Sequence, residues 1–138
     1  MSKLSTVNDV KVIESQIINS RGSNIYVLEN INSFFFVKRI FIINNKNHLD
    51  PRGAHAHKNN AQTISCPNGK ITLQMTDGKE KLSINLFENN FFVYVPSGIW
   101  SDIIFIDKNS TVICHCSENY NEKSYIRNYK DFIEYKNN

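Results

Sequence analysis

The stretch QTISCPNGKITLQMTDGKEKLSINL, residues 62–86, contains three short apolar runs that are separated by two turn dipeptides. The dipeptides are Asn68-Gly69 and Asp77-Gly78, and their residues tolerate the positive φ that tight hairpin turns need. Runs of this length between such residues are typical of strands. The stretch therefore predicts consecutive strands that are joined by two tight hairpins.

The same pattern continues towards both ends of the chain. Other apolar runs are also short, rich in Val, Ile, Phe and Tyr, and bounded by Asn, Asp, Gly or Pro. The nine predicted strands are Val10–Ile17, Asn24–Leu28, Phe34–Ile43, His55–Cys66, Lys70–Thr76, Glu80–Leu86, Phe91–Val95, Ser101–Ile106 and Ser110–Cys116. Nine short strands indicate an all-β sandwich or barrel.

The C-terminal stretch has a different spacing. Between Glu122 and Tyr135, apolar residues recur at intervals of three and four, which predicts a short amphipathic helix. These residues are Tyr125, Ile126, Tyr129, Phe132 and Ile133. With 138 residues in all, the chain is long enough for one domain, which we expect to span residues 1–138.

Composition and charge exclude several classes of function. The chain is 41% hydrophobic, has a formal charge of +3, and contains no block of Lys or Arg, so we expect no nucleic-acid partner. No run approaches the roughly 20 apolar residues of a membrane span, and the first residues lack the apolar stretch of a signal peptide. Three cysteines are too few for a disulfide scaffold. We therefore expect free thiols, no membrane partner and a cytoplasmic protein.

Two clusters carry potential chemistry. His55 and His57 stand two residues apart directly after a turn, so in a strand both imidazoles would project from the same face. This pair could serve as metal ligands, as acid and base, or as histidines without a catalytic role. In Cys114-His115-Cys116, by contrast, the same alternation turns His115 away from the two thiols, which favours a structural role.

The His-x-His pair in a β-rich chain resembles the cupin superfamily, whose barrel commonly holds a metal with two His, a Glu and a later His. Here the Glu position falls in Asn60-Ala61-Gln62, which contains no carboxylate, and Ser101 stands at the later His position. Two imidazoles alone make a poor site for a transition metal. We therefore expect a pocket without metal or other cofactor.

Several motifs together are similar to those of the sugar 3,4-ketoisomerases, which are cupin-fold enzymes that act on dTDP-4-keto-6-deoxyglucose. The motifs are residues 51–58 (PRGAHAHK), 120–129 (YNEKSYIRNY), 19–23 (NSRGS), 36–41 (FVKRIF) and the segment from Tyr94 to Trp100. The resemblance implies a cupin-type double-stranded β-helix, or jelly-roll barrel, with a short C-terminal helix. It also implies a dTDP-linked sugar as substrate and a homodimer with exchanged N-terminal strands.

The resemblance also implies roles for individual residues. His55 would be the base that moves a proton between C3 and C4, and His57 would hold a sugar oxygen or deliver the second proton; the reverse order stays open. Arg52 and Arg39 would bind the pyrophosphate or the enolate. The remaining candidate substrate-binding residues are Arg21, Gln62, Lys58, Phe41, Trp100 and Ser101. Ser101 and Phe41 replace a His and a Tyr that are common in the family.

Two alternatives stay open. A nucleotide-sugar 3,5-epimerase would share the fold and a His base, but a single Arg-Gly-x-His suits that reaction better than His-Ala-His. A non-catalytic cupin that binds or senses a sugar would use His55 and His57 only as hydrogen-bonding groups.

Overall fold

The computed structural model describes residues 2–14, 16–46, 48–87 and 91–138. The strands in these ranges are β1 (Lys11–Glu14), β2 (Gln16–Ser20), β3 (Ser23–Val27), β4 (Arg39–Asn44), β5 (Arg52–His57), β6 (Gln62–Asn68), β7 (Lys70–Thr76), β8 (Lys81–Phe87), β9 (Phe91–Val95), β10 (Trp100–Phe105), β11 (Thr111–Cys116) and β12 (Tyr125–Ile126). One α-helix, α1, runs from Tyr129 to Asn137. No helix in the described ranges is long and apolar enough to cross a bilayer.

Two five-stranded antiparallel sheets form the body of the protein. Their strand orders are β1-β9-β6-β11-β4 and β12-β5-β10-β7-β8, while β2 and β3 form a separate two-stranded ribbon. Apolar side chains from both sheets meet in one core, which includes Ile64, Leu73 and Val112. Burial of the apolar side chains that face inward from the two sheets drives this packing. The architecture confirms the predicted all-β jelly roll with a short C-terminal helix.

Only one of the two predicted hairpins is present. Asp77-Gly78 joins β7 to β8, which pair in register from Lys70 opposite Phe87 to Thr76 opposite Lys81. Asn68-Gly69, however, connects strands of different sheets, so the hairpin predicted there is wrong. Gly69 has φ of 87° and packs so closely that an added Cβ would lie 2.6 Å from the Cα of Ser110. A dipeptide that tolerates positive φ can therefore connect strands of two different sheets as readily as it forms a hairpin.

Three predicted strands need correction. The run His55–Cys66 is two strands, β5 and β6, which lie in different sheets because the chain turns between residues 58 and 61. In Phe34–Ile43, only the part from Arg39 onward is a strand, and Phe34 instead stacks on Tyr94 at 4.6 Å. The run Val10–Ile17 is divided between β1 and β2, and its Ser15 lies outside the described residues.

The helix predicted from Glu122 to Tyr135 is wrong in its first half. A 3-10 turn at Glu122–Ser124 leads into β12, which pairs with β5, and α1 begins only after the Asn128 side chain accepts a hydrogen bond from the Asp131 backbone N–H. This capping bond starts the helix at Tyr129, seven residues later than predicted. The second half is confirmed, because Phe132 is fully buried against Ile126.

The N-terminal segment, the β7–β8 turn and α1 meet at two charged residues. The Asp77 carboxylate accepts hydrogen bonds from the backbone N–H groups of Val7, Lys79 and Glu80. The Lys136 ammonium donates to the carbonyls of Ser5 and Gly98. Burial alone would raise the pKa of Asp77, but the three backbone hydrogen bonds and the nearby Lys136 charge lower it.

Candidate active site

A β-bulge at the start of β5 sets the direction of His55. Ser101 on β10 lies opposite His55, but the next residue, Asp102, lies opposite Gly53, so Ala54 is an extra residue without a partner. Ala54 has φ of 58° and Gly53 has φ of 104°, values that favour glycine. An added Cβ on Gly53 would lie 2.9 Å from the Ser101 carbonyl oxygen. The bulge therefore depends on glycine at this position and orients the following residue.

The two imidazoles meet edge to face. The ring centroids of His55 and His57 are 4.8 Å apart, with an interplanar angle of 85°. His55 is half-buried and lines a cavity, whereas His57 is only 6% exposed and lies behind it. Three ring nitrogens have no hydrogen-bond partner in the described part of the chain. They are Nδ1 and Nε2 of His57 and Nδ1 of His55. Buried polar atoms without partners are typical of sites that bind a ligand or water.

Tyr125 packs against both histidines. Its ring centroid is 4.4 Å from that of His57 and 4.9 Å from that of His55. The antiparallel register of β12 with β5 puts Tyr125 directly opposite His57, and opposed residues project from the same face. The Lys58 N–H donates to the Ser124 carbonyl at 2.8 Å, which fixes this register.

Arg127 extends the same face. Its guanidinium lies over the Tyr125 ring, 4.3 Å from the centroid, and also lines the cavity. The Glu122 carboxylate accepts two hydrogen bonds from it, at 2.8 Å from Nε and 3.0 Å from Nη2. The hydrogen bond from Arg127 lowers the pKa of Glu122, and the same bond raises the pKa of Arg127. Both groups are therefore charged at neutral pH.

Burial and neighbouring charges lower the pKa of both imidazoles. Desolvation by burial, the adjacent His55, and the cations Arg39 and Arg127 together lower the pKa of His57 to about 3. Burial also lowers the pKa of His55, but to a smaller extent, because the Gly53 backbone carbonyl opposes it by hydrogen bonding. Both rings are therefore mostly neutral near pH 7.

The cavity has a volume of about 620 Å³ and lies between the two sheets. Four of the predicted site residues besides His55 line it, which are Arg52, Gln62, Phe41 and Ser101. Gln62 begins β6 rather than continuing the strand of His57, so the alternation that would turn it to the opposite face does not apply. The Arg39 guanidinium lies close to the cavity wall, 5.6 Å from the ring centroid of Phe41.

Three predicted site residues lie away from the cavity. Arg21 is in the turn between β2 and β3, with φ of 52°. Lys58 lies on a different surface, beside Ser97 and Tyr135. Trp100 packs on Tyr129 and Phe132 of α1, with centroid distances of 5.2 and 5.6 Å, and so fixes the helix against the sheet. Lys58 and Trp100 therefore do not line this cavity, and their role in substrate binding stays a prediction.

Two residues of the cavity wall, Tyr125 and Arg127, were not predicted as site residues. The helical spacing of the tail concealed them, because it assigned Tyr125 to an apolar helix face. The signal that could have found them is their own spacing: residues two apart share one face of a strand, as His55 and His57 do.

The cysteines have the structural role that their pattern predicted. Cys66, Cys114 and Cys116 are buried and form no disulfide among the described residues, and burial alternates along β11 so that His115 faces away from the two thiols of that strand. Burial raises the pKa of Cys114 far above its usual range. Among the residues that the structure describes, no three His, Cys, Asp or Glu side chains lie close enough to hold a metal ion.

Comparison with known proteins identifies the family. Residues 8–137 match the family described as FdtA: WxcM-like, C-terminal. The chain is 34% identical over 126 residues to the TDP-4-oxo-6-deoxy-alpha-D-glucose-3,4-oxoisomerase of Aneurinibacillus thermoaerophilus, which covers 91% of both chains.

Solved structures give the same result. A 3,4-ketoisomerase from Helicobacter canadensis superposes with a TM-score of 0.86 at 29% identity, covering 94% of this chain and 98% of the other. The sugar 3,4-ketoisomerase QdtA from Thermoanaerobacterium thermosaccharolyticum, in complex with TDP, superposes with a TM-score of 0.84 at 26% identity, covering 93% and 94%. A histidine-to-asparagine mutant of QdtA is in complex with TDP-4-keto-6-deoxyglucose. The chain with its paired imidazoles therefore belongs to the FdtA family of cupin-fold sugar 3,4-ketoisomerases.

Proposed function

We propose that this protein is a metal-independent isomerase that converts TDP-4-keto-6-deoxyglucose to a TDP-3-keto-6-deoxyhexose. The observation that carries the proposal is the position of His55, whose imidazole faces a cavity of about 620 Å³ next to Arg52, Gln62 and Ser101. The family, the curated relative and the substrate of the QdtA complex support the choice of sugar.

The reaction needs two proton movements. A base removes the C3 proton and returns it to C4, while the C3 hydroxyl loses its proton and the C4 oxygen gains one. The intermediate is an enediol or enediolate. Proton transfer by a positioned imidazole contributes on the order of 10²–10⁴-fold to such a rate.

We assign the carbon-to-carbon transfer to His55. Its imidazole reaches the cavity, and its pKa is lowered less than that of His57. A base with a pKa near 3 has too little proton affinity to remove a carbon-bound proton at neutral pH. His57 then serves as the neutral partner, which can hold a sugar oxygen or pass the oxygen-bound proton through its unpaired ring nitrogens.

The remaining cavity residues suit the polar parts of the substrate. Arg52 lines the cavity, and Arg39 lies at its His57 end, so each guanidinium could offer paired donors to the pyrophosphate. Gln62 and Ser101 provide hydrogen-bonding groups for the sugar, and Phe41 provides an apolar face. The second candidate function is a 3,5-epimerase. The second histidine, His57, disfavours it, because a single Arg-Gly-x-His suits that reaction better.

We also propose a homodimer that exchanges its N-terminal strands. Among the residues that the structure describes, the β2–β3 ribbon pairs with neither five-stranded sheet, and its cross-strand neighbours Ile18 and Ile25 are both about half exposed. Ile40 and Ile42 are likewise exposed on the edge strand β4. An isolated two-stranded ribbon is marginally stable, so a second copy would cover it. Arg21 at the tip of the ribbon could then reach the partner's cavity. Sedimentation analysis of Ile18→Asp should give a monomer.

Residues 1–138 would act as one domain. The three buried thiols suit a reducing, cytoplasmic location.

The test follows the ring protons of TDP-4-keto-6-deoxyglucose by NMR in D₂O. The wild-type protein should introduce deuterium next to the carbonyl and produce a 3-keto signal. His55→Asn should abolish both, while TDP affinity stays unchanged. His48→Asn is the matched control, because His48 is exposed in a loop outside the cavity. Unchanged exchange in His55→Asn would contradict the assignment, and no 3-keto signal with the wild type would contradict the function.

A further inference from the structure

Glu122 and Arg127 form an ion pair at the edge of the cavity. The carboxylate engages the guanidinium through both Nε and Nη2, and the Tyr120 side chain also hydrogen-bonds to Glu122. Both charged side chains are about half exposed, at 53% and 55%. Ion pairs between exposed side chains contribute little to stability. Stability alone therefore explains little of this two-point contact.

The guanidinium is held in a defined orientation. It lies over the Tyr125 ring, which touches both imidazoles, and three of its five N–H donors remain beyond the two that Glu122 occupies. Continuing the register of Tyr125 opposite His57 by two residues brings Arg127 level with His55. Arg127 thus belongs to the histidine end of the cavity.

We propose that Arg127 stabilises the negative charge of the enediolate oxygen, and that Glu122 is the positioning residue that holds Arg127 on Tyr125 for this purpose. This inference rests on the proposed function. Negative charge develops on the sugar oxygen as His55 removes the C3 proton. A cation fixed before this step stabilises that charge without reorganising, which is the most effective form of electrostatic catalysis.

The charges around His55 support the assignment. Besides burial and the Gly53 carbonyl, the imidazole faces the cation Arg127 and the carboxylates Asp102 and Glu122. Arg127 also acts on His57, together with His55 and Arg39. The Arg127 charge therefore lowers the pKa of both imidazoles.

The first test separates catalysis from substrate binding. Glu122→Gln should lower kcat about tenfold, with TDP affinity unchanged and Glu122→Asp recovering part of the rate. Arg127→Gln should lower kcat on the order of 10²-fold. Glu118→Gln is the matched control, because Glu118 forms a similarly exposed ion pair with Lys38 but does not line the cavity. Its kcat should equal that of the wild type.

The second test uses the pH profile of kcat/KM, whose acid limb reports the pKa of His55. Glu122→Gln removes a carboxylate that raises this pKa, so the limb should move to lower pH. Arg127→Gln removes a cation that lowers it, so the limb should move to higher pH. A pair whose charges do not act on His55 would shift neither limb.

Three results would overturn the inference. Weaker TDP binding with unchanged kcat in Glu122→Gln would assign Arg127 to the diphosphate. Wild-type kinetics in both variants would make the pair a surface contact, and equal losses in Glu118→Gln would make the effect non-specific. Each result requires a wild-type protein that produces the 3-keto sugar, so failure of the proposed function is recognised separately.

Discussion

The ring of Tyr125 lies 4.4 Å from that of His57, directly opposite it across the pair formed by β12 and β5. This contact joins the C-terminal segment to β5, a strand that lies far away in the sequence. It closes one side of the imidazole pair, and β10 supplies the neighbour on another side through Ser101. The orientation of both histidines therefore depends on a segment outside the His-x-His motif.

Replacing Tyr125 tests this dependence. Tyr125→Phe keeps the ring and should retain most of the activity, whereas Tyr125→Ala removes the contact with both imidazoles and should lower kcat about 10²-fold, as expected when a catalytic group is misplaced. Steady-state kinetics with the nucleotide sugar measure this. Tyr129→Ala serves as control, since Tyr129 packs on Trp100 away from the cavity. Equal losses in both alanine variants would point to general destabilisation.

The pKa of His57 predicts a pH dependence of stability. The folded value of about 3 lies below the unfolded value of 6.5, so between these limits the unfolded chain binds more protons. The free energy of unfolding should therefore fall as pH decreases from 6.5 towards 3, by up to about 1.4 kcal/mol per pH unit.

Urea unfolding at several pH values measures that slope. His57→Gln should flatten it, whereas His48→Gln, at an exposed position, should keep it. An NMR titration of the wild-type imidazole gives the pKa directly if the variant does not fold. A His57 pKa near 6.5 in that titration would disprove the prediction.

Gly53→Ala should disrupt the bulge. The new Cβ would collide with the Ser101 carbonyl at 2.9 Å and would also force an unfavourable φ, so we expect a loss of about 1–3 kcal/mol and a large drop in activity. Gly22→Ala separates the two effects, because Gly22 also has a positive φ of 77° but no atom within 4 Å of the new Cβ. Thermal unfolding should rank Gly53→Ala well below Gly22→Ala, and similar values would exclude the collision.

Asp77→Asn should destabilise the protein without affecting its chemistry. The amide nitrogen cannot accept one of the three backbone hydrogen bonds that the carboxylate accepts, which costs about 1–3 kcal/mol. Because the pKa of Asp77 is lowered below 3.8 on folding, its contribution is present above pH 3.8 and is lost as the pH falls through the folded value. Unfolding curves at pH 7 and pH 3 should therefore differ less for the variant. A variant as stable as the wild type at pH 7 would contradict this role.

Chelation tests the proposed independence from metal. Activity after dialysis against EDTA should equal that of the untreated protein, because the proton transfers are assigned to His55 and His57 alone. Deuterium exchange into the substrate is the measurement. Loss of exchange, with recovery on adding a divalent transition metal, would show that the imidazoles bind a metal after all.

The sequence predicts the strands and the histidine pair well because both depend on local properties. Period-two burial and turn residues are readable in any short window, and the spacing of two in the motif at residues 51–58 predicts that both imidazoles project from one face of a strand. The turn at Asn68-Gly69 shows the limit: its residues permit positive φ, but only the packing against Ser110 determines that the chain changes sheets.

Local spacing alone left the position of Tyr125 ambiguous, because the tail fits both a helical period and the period of a strand. Residues 122–135 satisfy a helical period, yet pairing with β5 and the Asn128 cap override it for the first half. The same is true of Lys58 and Trp100, which neighbour site motifs in sequence but face other surfaces. Contacts between distant segments determine the orientation of these side chains.

The hydrogen bonds between Ser124 and the residues that follow β5 have a consequence for biosynthesis. Lys58 and Asn59 both donate to Ser124, and Asn59 and Ser124 are 65 positions apart in the sequence. During translation, both five-stranded layers could pair before Tyr125 and Arg127 leave the ribosome, except for the place that β12 will occupy. The nascent protein would thus hold an open pocket, without the wall that Tyr125 and Arg127 supply, until residues 124–127 have been made.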